Sequence, residues 1–320
     1  MRILTVGAGA VGGWFGALLH RAGHDVTFLV RPRRAAALRA RGLRVTGLGE
    51  EITLTPQLVT ADEPAQTYDL VLLSVKSTAL DRAAKDLAPA VGPRTSILPL
   101  LNGMAHLDRL TALFGRRAVL GGVAKVVTTL DEHGDIVRMA PPSAILTGEL
   151  DGAPSARVDA VRDLLAGAGI DSPDTPDITA AMWHKWVFIA TLGASTCLMR
   201  GSVGEFNAVP GGAGVARALL AEAAAVSAAA GYPVPEAELD FTTRTVTTAG
   251  SRLTPSMYRD VLAGRPTEVE HVLGDLVARA RALAVPTPLL DLATLHLRVH
   301  QHRPTAQPAQ LVQPVQEDAG

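Results

Sequence analysis

The spacing of apolar and polar positions changes about halfway along the chain. Residues 2–6 form a short, nearly continuous apolar run of strand length, residues 11–22 carry helical spacing closed by Gly23, and residues 25–30 read again as strand. These three pieces make a strand–helix–strand unit. Further β-type runs at 51–59, 69–75, 96–100 and 118–129 alternate with helical stretches such as 78–88, which predicts a mostly parallel sheet covered by helices. β-prone segments 126–130 and 135–138 flank Asp131-Glu132-His133-Gly134, a hairpin-turn signal, and 144–148 adds one more strand. The sheet is therefore expected to end in antiparallel pieces.

Past the Asp- and Pro-rich stretch 171–177 the strand signal fades, and helical spacing takes over at 178–199, 213–230, 236–248, 267–284 and 288–301. The expected fold is α/β: an N-terminal Rossmann-type parallel-sheet domain over residues 1–172 and a second all-α-helical domain over 173–303. A chain of 320 residues exceeds the size at which one core usually stops growing, which agrees with two domains. Residues 304–320, rich in Pro and Gln, read as a disordered tail.

Composition then narrows the function classes. A formal net charge of −1 provides no global basic field, so neither nucleic acid nor a membrane surface is an expected partner. Cys197, the only cysteine, excludes an intrachain disulfide and reads as a buried structural thiol, because no helix start or cationic cluster activates it. The N-terminus lacks the features of a signal peptide, and no uninterrupted apolar run reaches the ~18 residues of a membrane span. A cytoplasmic protein is the expectation. His296 and His300 lie one helical turn apart with His302 beyond, but no glutamate completes an HExxH pattern. A solvated helix face accounts for them, and no metal site is expected.

Gly7-Ala8-Gly9-Ala10-Val11-Gly12 follows a strand and opens a helix, the context that a GxGxxG dinucleotide turn requires. The first glycine permits the tight turn, the second lets backbone approach a pyrophosphate, and the third lets helix and strand pack closely. The second strand ends not on an acid but on Arg31, followed by Pro32, Arg33 and Arg34. Guanidinium groups complement a 2′-phosphate, so NADPH is favoured over NADH. Two later strand ends, Ser74-Val75-Lys76 and Leu101-Asn102-Gly103-Met104, point to the crevice where open α/β sheets bind ligands. Lys76 and Asn102 are the candidate contacts there.

With these pieces in order, the chain resembles the ketopantoate reductase (2-dehydropantoate 2-reductase) family from residue 1 to about 300. The matching features are the glycine turn, Arg31, Lys76, Leu101 to Met104, Gly148-Glu149, Trp183-His184-Lys185, Ser256-Met257 and Pro266-Thr267-Glu268. The resemblance implies a Rossmann domain and a helical domain with substrate in the cleft between them, and reduction of a 2-oxo acid by NADPH. It makes Lys185 the general acid, Glu268 the partner of a substrate hydroxyl, and Asn102 and Ser256 substrate or cofactor contacts. An ammonium can both stabilise the charge that hydride transfer builds on the carbonyl oxygen and supply the proton.

Two positions depart from the ketopantoate pattern. Ile189 and Val203 stand where the family carries asparagines, with Asn207 nearby as a substitute. Losing two amides penalises a small hydroxylated acid, so a relative acting on a more apolar carbonyl compound is the second enzymatic reading. A dinucleotide-binding sensor without turnover is the alternative from another class. A homodimer is also considered, since Ala- and Leu-rich helical faces often supply dimer surfaces.

Overall fold

A computed structural model of the chain describes residues 1–63 and 66–302. The expected tail over 304–320 lies outside them. Among the described residues there are nine strands: β1 (Arg2–Val6), β2 (Asp25–Leu29), β3 (Leu43–Gly47), β4 (Glu50–Leu54), β5 (Gln57–Val59), β6 (Tyr68–Leu73), β7 (Val91–Pro99), β8 (Gly121–Leu130) and β9 (Ile136–Gly148). Five form an all-parallel sheet in the order β5-β2-β1-β6-β7. The other four form a separate sheet, β4-β3-β9-β8. Two expectations are corrected here. The antiparallel pieces do not extend the parallel sheet, and the run expected at 51–59 divides into β4 and β5, one in each sheet. Strand periodicity cannot foresee this, because β3 joins β9 by a parallel pairing of Val45 with Ile136 and Thr46 with Val137, far apart in sequence.

Between the sheets runs α1 (Ala10–Arg21), whose residues 12–19 are all buried. A helix enclosed on both sides must admit neighbouring side chains close to its backbone, and its glycines permit that. A Cβ on Gly16 would stand 2.6 Å from the ring of Phe28 on β2, while one on Gly13 would stand 2.4 Å from Ile136 Cδ1 on β9. Trp14, 1% exposed, donates from Nε1 to Ser143 Oγ at 2.8 Å, and Arg138 stacks 5.1 Å over its ring. One apolar core therefore includes Phe15, Phe28, Val45, Leu70, Ile136 and Ile145 from the helix and both sheets.

The remaining early helices are α2 (Pro32–Arg41), α3 (Leu80–Leu87), α4 (Ala105–Phe114) and α5 (Ala156–Gly167). After β9, Glu149 accepts from Arg157 Nε at 2.6 Å and Nη2 at 2.5 Å, and from the Ser155 hydroxyl at 2.6 Å. This pair ties the end of the sheet to the N-terminus of α5, where Ser155 is the cap. The Arg157 guanidinium holds the Glu149 carboxyl below its ordinary value.

The rest is helical: α6 (Ile178–Met199), α7 (Val203–Asn207), α8 (Gly212–Ala229), α9 (Glu236–Thr247), α10 (Ser256–Leu262), α11 (Asp275–Ala282) and α12 (Pro288–His302). The helix expected at 267–284 begins instead with a π-helical turn, Glu270–Gly274, before α11. By compactness, Met1–Phe188 with Ala224–Glu238 make one unit, and Ile189–Ala223 with the described residues from Leu239 onward make the other. Helix α8 is long and apolar enough to cross a membrane by length and composition alone. It carries Glu222, whose carboxylate accepts from the Leu289 and Leu290 N–H groups at 3.0 and 2.9 Å and so caps α12.

Two stability predictions follow from this packing. Gly16→Ala gains helix propensity but drives a methyl into Phe28, so urea denaturation should show a net loss of about 1–3 kcal/mol; an unchanged midpoint would contradict the close approach. Glu149→Gln should cost about 1–2 kcal/mol at pH 7. Because the folded carboxyl titrates below its unfolded value of 4.5, that contribution is present above pH 4.5 and fades as pH falls through the folded value. The gap between wild type and variant should close on acidification.

Candidate active site

The glycine turn sits at the C-terminal edge of β1, between β2 and β6, where the strand order reverses direction. It is held from both sides. The Gly7 N–H donates to the Leu29 carbonyl (3.0 Å), and the Ser74 N–H donates to the Val6 carbonyl (3.1 Å). The Ser74 hydroxyl is 3.2 Å from the Gly7 carbonyl. Gly7 adopts φ +95°, open to glycine and costly for other residues. A Cβ on Gly12 would fall 1.9 Å from Ser74 Oγ and 2.3 Å from the Gly7 carbonyl oxygen, so this glycine is required for the loop to lie against β6.

Gly9 differs in kind. A Cβ there would meet nothing within 4 Å, so the loop leaves an open cradle at this position. Gly9 is also the N-cap of α1, with no side chain capping the helix and no acid in its first turn. The N–H groups opening the helix at Ala10 and Val11 and the helix dipole thus face that cradle without a competing carboxylate. A dinucleotide pyrophosphate fits this arrangement.

Arg31, Lys76 and Asn102 lie at the same edge of the parallel sheet. Arg31 follows β2 as the exposed N-cap of α2, a helix announced by Pro32 at its first position but not expected from the apolar spacing. Among the described residues, Arg31 and Arg33 form no ion pair. Arg34 departs from its expected place in a phosphate-binding group, because its Nη2 donates to the carbonyls of Ala8 (3.1 Å) and Gly134 (2.9 Å). Burial lowers its pKa, partly offset by Asp135. Arg39, Arg41 and Arg44 are likewise engaged within the protein, the first with Glu63 and the others with Asp135. Lys76 is exposed beyond β6, and Asn102 is half-buried beyond β7. Among the described residues the Asn102 amide makes no hydrogen bond.

Lys185 lies on α6 within the first unit, half-buried between Trp183 and Trp186, which are 3% and 0% exposed. Those rings pack with centroids 4.9 Å apart, and Trp183 stacks on Tyr232 at 5.9 Å. Neighbouring His184 faces Glu238 at 3.5 Å. In the second unit, Ser256 is exposed at the start of α10. Glu268 is half-buried just before the π-helical turn, and its carbonyl accepts from the His271 and Val272 N–H groups at 3.1 and 3.0 Å. The turn is pinned to α12 by a bidentate Arg298–Glu270 pair at 2.7 Å, and Gln301 donates to the Thr267 carbonyl at 2.7 Å. Apolar periodicity carries no signal for such a turn, although the pattern Pro266-Thr267-Glu268 marks a helix start.

Three second-unit residues stand at or near the positions where asparagines were expected. Ile189 is half-buried and Val203 fully buried. Asn207 spends its amide on the carbonyls of Val203 (2.6 Å) and Val246 (2.9 Å), so both donors of the expected substitute are already used. Burial pushes the Cys197 thiol up to about 12, which leaves it no thiolate character near neutral pH. His300 Nε2 stands 3.4 Å from the Arg265 carbonyl.

Comparison with known proteins extends this picture over both units. Residues 3–152 match the family model "Ketopantoate reductase PanE/ApbA", and residues 177–301 match its C-terminal counterpart. The chain is 31% identical to the uncharacterized oxidoreductase YkpB of Bacillus subtilis, over 94% of this chain and 99% of that protein. It is also 31% identical to the 2-dehydropantoate 2-reductase of Archaeoglobus fulgidus, over 89% of this chain and 92% of that one. The crystal structure of 2-dehydropantoate 2-reductase from Geobacter metallireducens superposes with TM-score 0.85 at 28% identity, covering 93% of this chain and 99% of that chain. The chain belongs to the ketopantoate reductase family, and it is an oxidoreductase acting on CH–OH groups with a nicotinamide dinucleotide.

Proposed function

We propose that this chain reduces a 2-oxo acid with NADPH, that its substrate is 2-dehydropantoate, and that it forms pantoate for pantothenate biosynthesis in the cytoplasm. Residues 1–172 would hold the cofactor and 173–303 most of the substrate contacts. The observation that carries the reading is full-length similarity to 2-dehydropantoate 2-reductases on a fold whose glycine turn is open at Gly9. NADPH supplies the hydride.

The chain's own residues do the remainder. The open Gly9 cradle and the α1 N-terminus take the pyrophosphate, with Ala10, Val11 and Gly12 forming the first turn beneath it. Arg31, exposed beyond β2, pairs with the 2′-phosphate, and Lys76 and Asn102 flank the crevice. Lys185 stabilises negative charge growing on the substrate carbonyl oxygen and donates a proton to it. Lys185 is half-buried, and a charge less screened by solvent interacts more strongly with a developing oxyanion. Glu268 accepts a hydrogen bond from the substrate hydroxyl, and Asn102 and Ser256 orient the acid.

A second reading keeps the reaction and changes the substrate. It is favoured by Ile189 and Val203 at the two asparagine positions, together with the amide of Asn207 already bonded to backbone. Under it the preferred carbonyl compound is larger and more apolar than 2-dehydropantoate. NADPH oxidation across a panel of 2-oxo acids separates the two readings, since the first requires the highest kcat/KM on 2-dehydropantoate.

The roles of individual residues are tested separately. Lys185→Ala should lower kcat by about 10²–10⁴-fold while NADPH still binds; retained turnover would remove Lys185 from proton transfer. Arg31→Ala should weaken NADPH by roughly tenfold or more, on the order of one charge-assisted contact, and leave NADH nearly unaffected. Equal losses for both dinucleotides, measured by calorimetric titration, would defeat that assignment.

A further inference from the structure

Arg34 joins two segments distant in sequence. Its Nη2 donates to the Ala8 carbonyl within the glycine turn and to the Gly134 carbonyl in the turn between β8 and β9. The second turn is itself rigid. Asp131 Oδ1 accepts from the N–H groups of His133 (2.9 Å) and Asp135 (2.8 Å), and the Asp135 carboxylate pairs with Arg41 Nη2 at 2.9 Å. Helix α2 is thus fastened to this turn near its start by Arg34 and at its end by Arg41. Gly134 has φ +79°, and a Cβ there would stand 2.7 Å from Arg34 Nη1, so a glycine is what admits the guanidinium.

The consequence for the glycine turn is orientational. In a trans peptide the C=O and N–H point in opposite directions, so fixing the Ala8 carbonyl fixes the Gly9 N–H on the far side. The peptide plane before a glycine otherwise turns easily, because Gly9 lacks the side chain that would restrict its φ. A half turn would bring the Ala8 carbonyl oxygen to an anion in place of an N–H donor.

We propose that Arg34 is a positioning residue for the dinucleotide, holding the Ala8–Gly9 peptide so that the Gly9 N–H faces the pyrophosphate, with turn 131–135 as its anchor. This rests on the reading that the glycine turn takes the cofactor. It separates two arginines three residues apart: Arg31 answers to the 2′-phosphate and Arg34 to the pyrophosphate that NADPH and NADH share.

The test is calorimetric titration of NADPH and NADH into the full chain as wild type, Arg34→Ala, Arg34→Lys and Gly134→Ala, with Tm recorded for each. Arg34→Ala should weaken both dinucleotides by the same factor of about ten, the order set by one charge-assisted hydrogen bond. Arg34→Lys should recover part of that loss, since its ammonium can still reach the Ala8 carbonyl. Gly134→Ala should lose less than Arg34→Ala, again equally for both, and carries the test if Arg34→Ala does not fold. A lowered Tm with unchanged affinities, measured well below the transition, would reduce Arg34 to a structural tie and overturn the proposal. A loss confined to NADPH would overturn it in favour of direct 2′-phosphate contact. Wild-type protein that binds neither dinucleotide would instead overturn the cofactor reading, and this proposal with it.

Discussion

The close approach of side chains from both sheets to the glycine backbone of α1 is the constraint on which the first unit depends. Gly12, Gly13 and Gly16 bring the helix against β6, β9 and β2 in turn, and a methyl at any of the three would stand within 2.6 Å of an atom already there. Three glycines weaken an isolated helix by roughly 1 kcal/mol each relative to alanine. That cost is offset by enclosure: residues 12–19 are buried, and Trp14 and Phe15 reach opposite parts of one core. Because the helix is fixed against two sheets, its N-terminus is fixed in space. The orientation of its first N–H groups is thereby a by-product of core packing.

The glycine turn then separates steric necessity from ligand accommodation. Gly12 and Gly7 are required by the protein itself, one by contact with Ser74 and the other by its φ. Gly9 has an ordinary negative φ and open space, and nothing in the fold demands a glycine there. A residue kept small without an internal reason points outward to a bound group. The half-buried start of α1 also lacks a side-chain cap, which leaves its first N–H groups available to an anion. The basic composition after β2, in contrast, is mostly absorbed internally: Arg34, Arg39, Arg41 and Arg44 meet carbonyls or carboxylates, while Arg31 and Arg33 are exposed and form no ion pair among the described residues.

Much of this was legible in the sequence where the signals are local. The strand–helix–strand unit, the turn at Asp131 to Gly134 and the succession of helices from Ile178 follow from short-range periodicity and turn chemistry, and the structure places each there. The division into two sheets was not legible, because a strand's spacing records which faces are buried and not which neighbour it pairs with. Helix α2 escaped because its apolar face is only Ala35 and Leu38, although Pro32 after an extended residue signals a start. The π-helical turn escaped because apolar periodicity does not register a change of main-chain hydrogen bonding over five residues. The basic character of Arg34 is plain from its residue type, but its internal bonding is not, since both groups it binds are backbone carbonyls that no residue type announces.

Cofactor and substrate are consequently supported by different kinds of argument. The glycine turn is defined by backbone, by N–H groups and glycines whose geometry one compact unit determines, and such features survive extensive change of side chains. Substrate selection, under the proposed reading, would depend on side chains, where a single replacement exchanges a hydrogen bond for an apolar contact. A buried polar group left without its partner costs about 1–3 kcal/mol, whereas a methylene gained or lost in an apolar pocket changes little. A family can therefore retain its fold and hydride chemistry while a few amides decide which carbonyl compound is accepted. In this chain the Asn207 amide binds the backbone of Val203 and Val246 and so serves the helical scaffold.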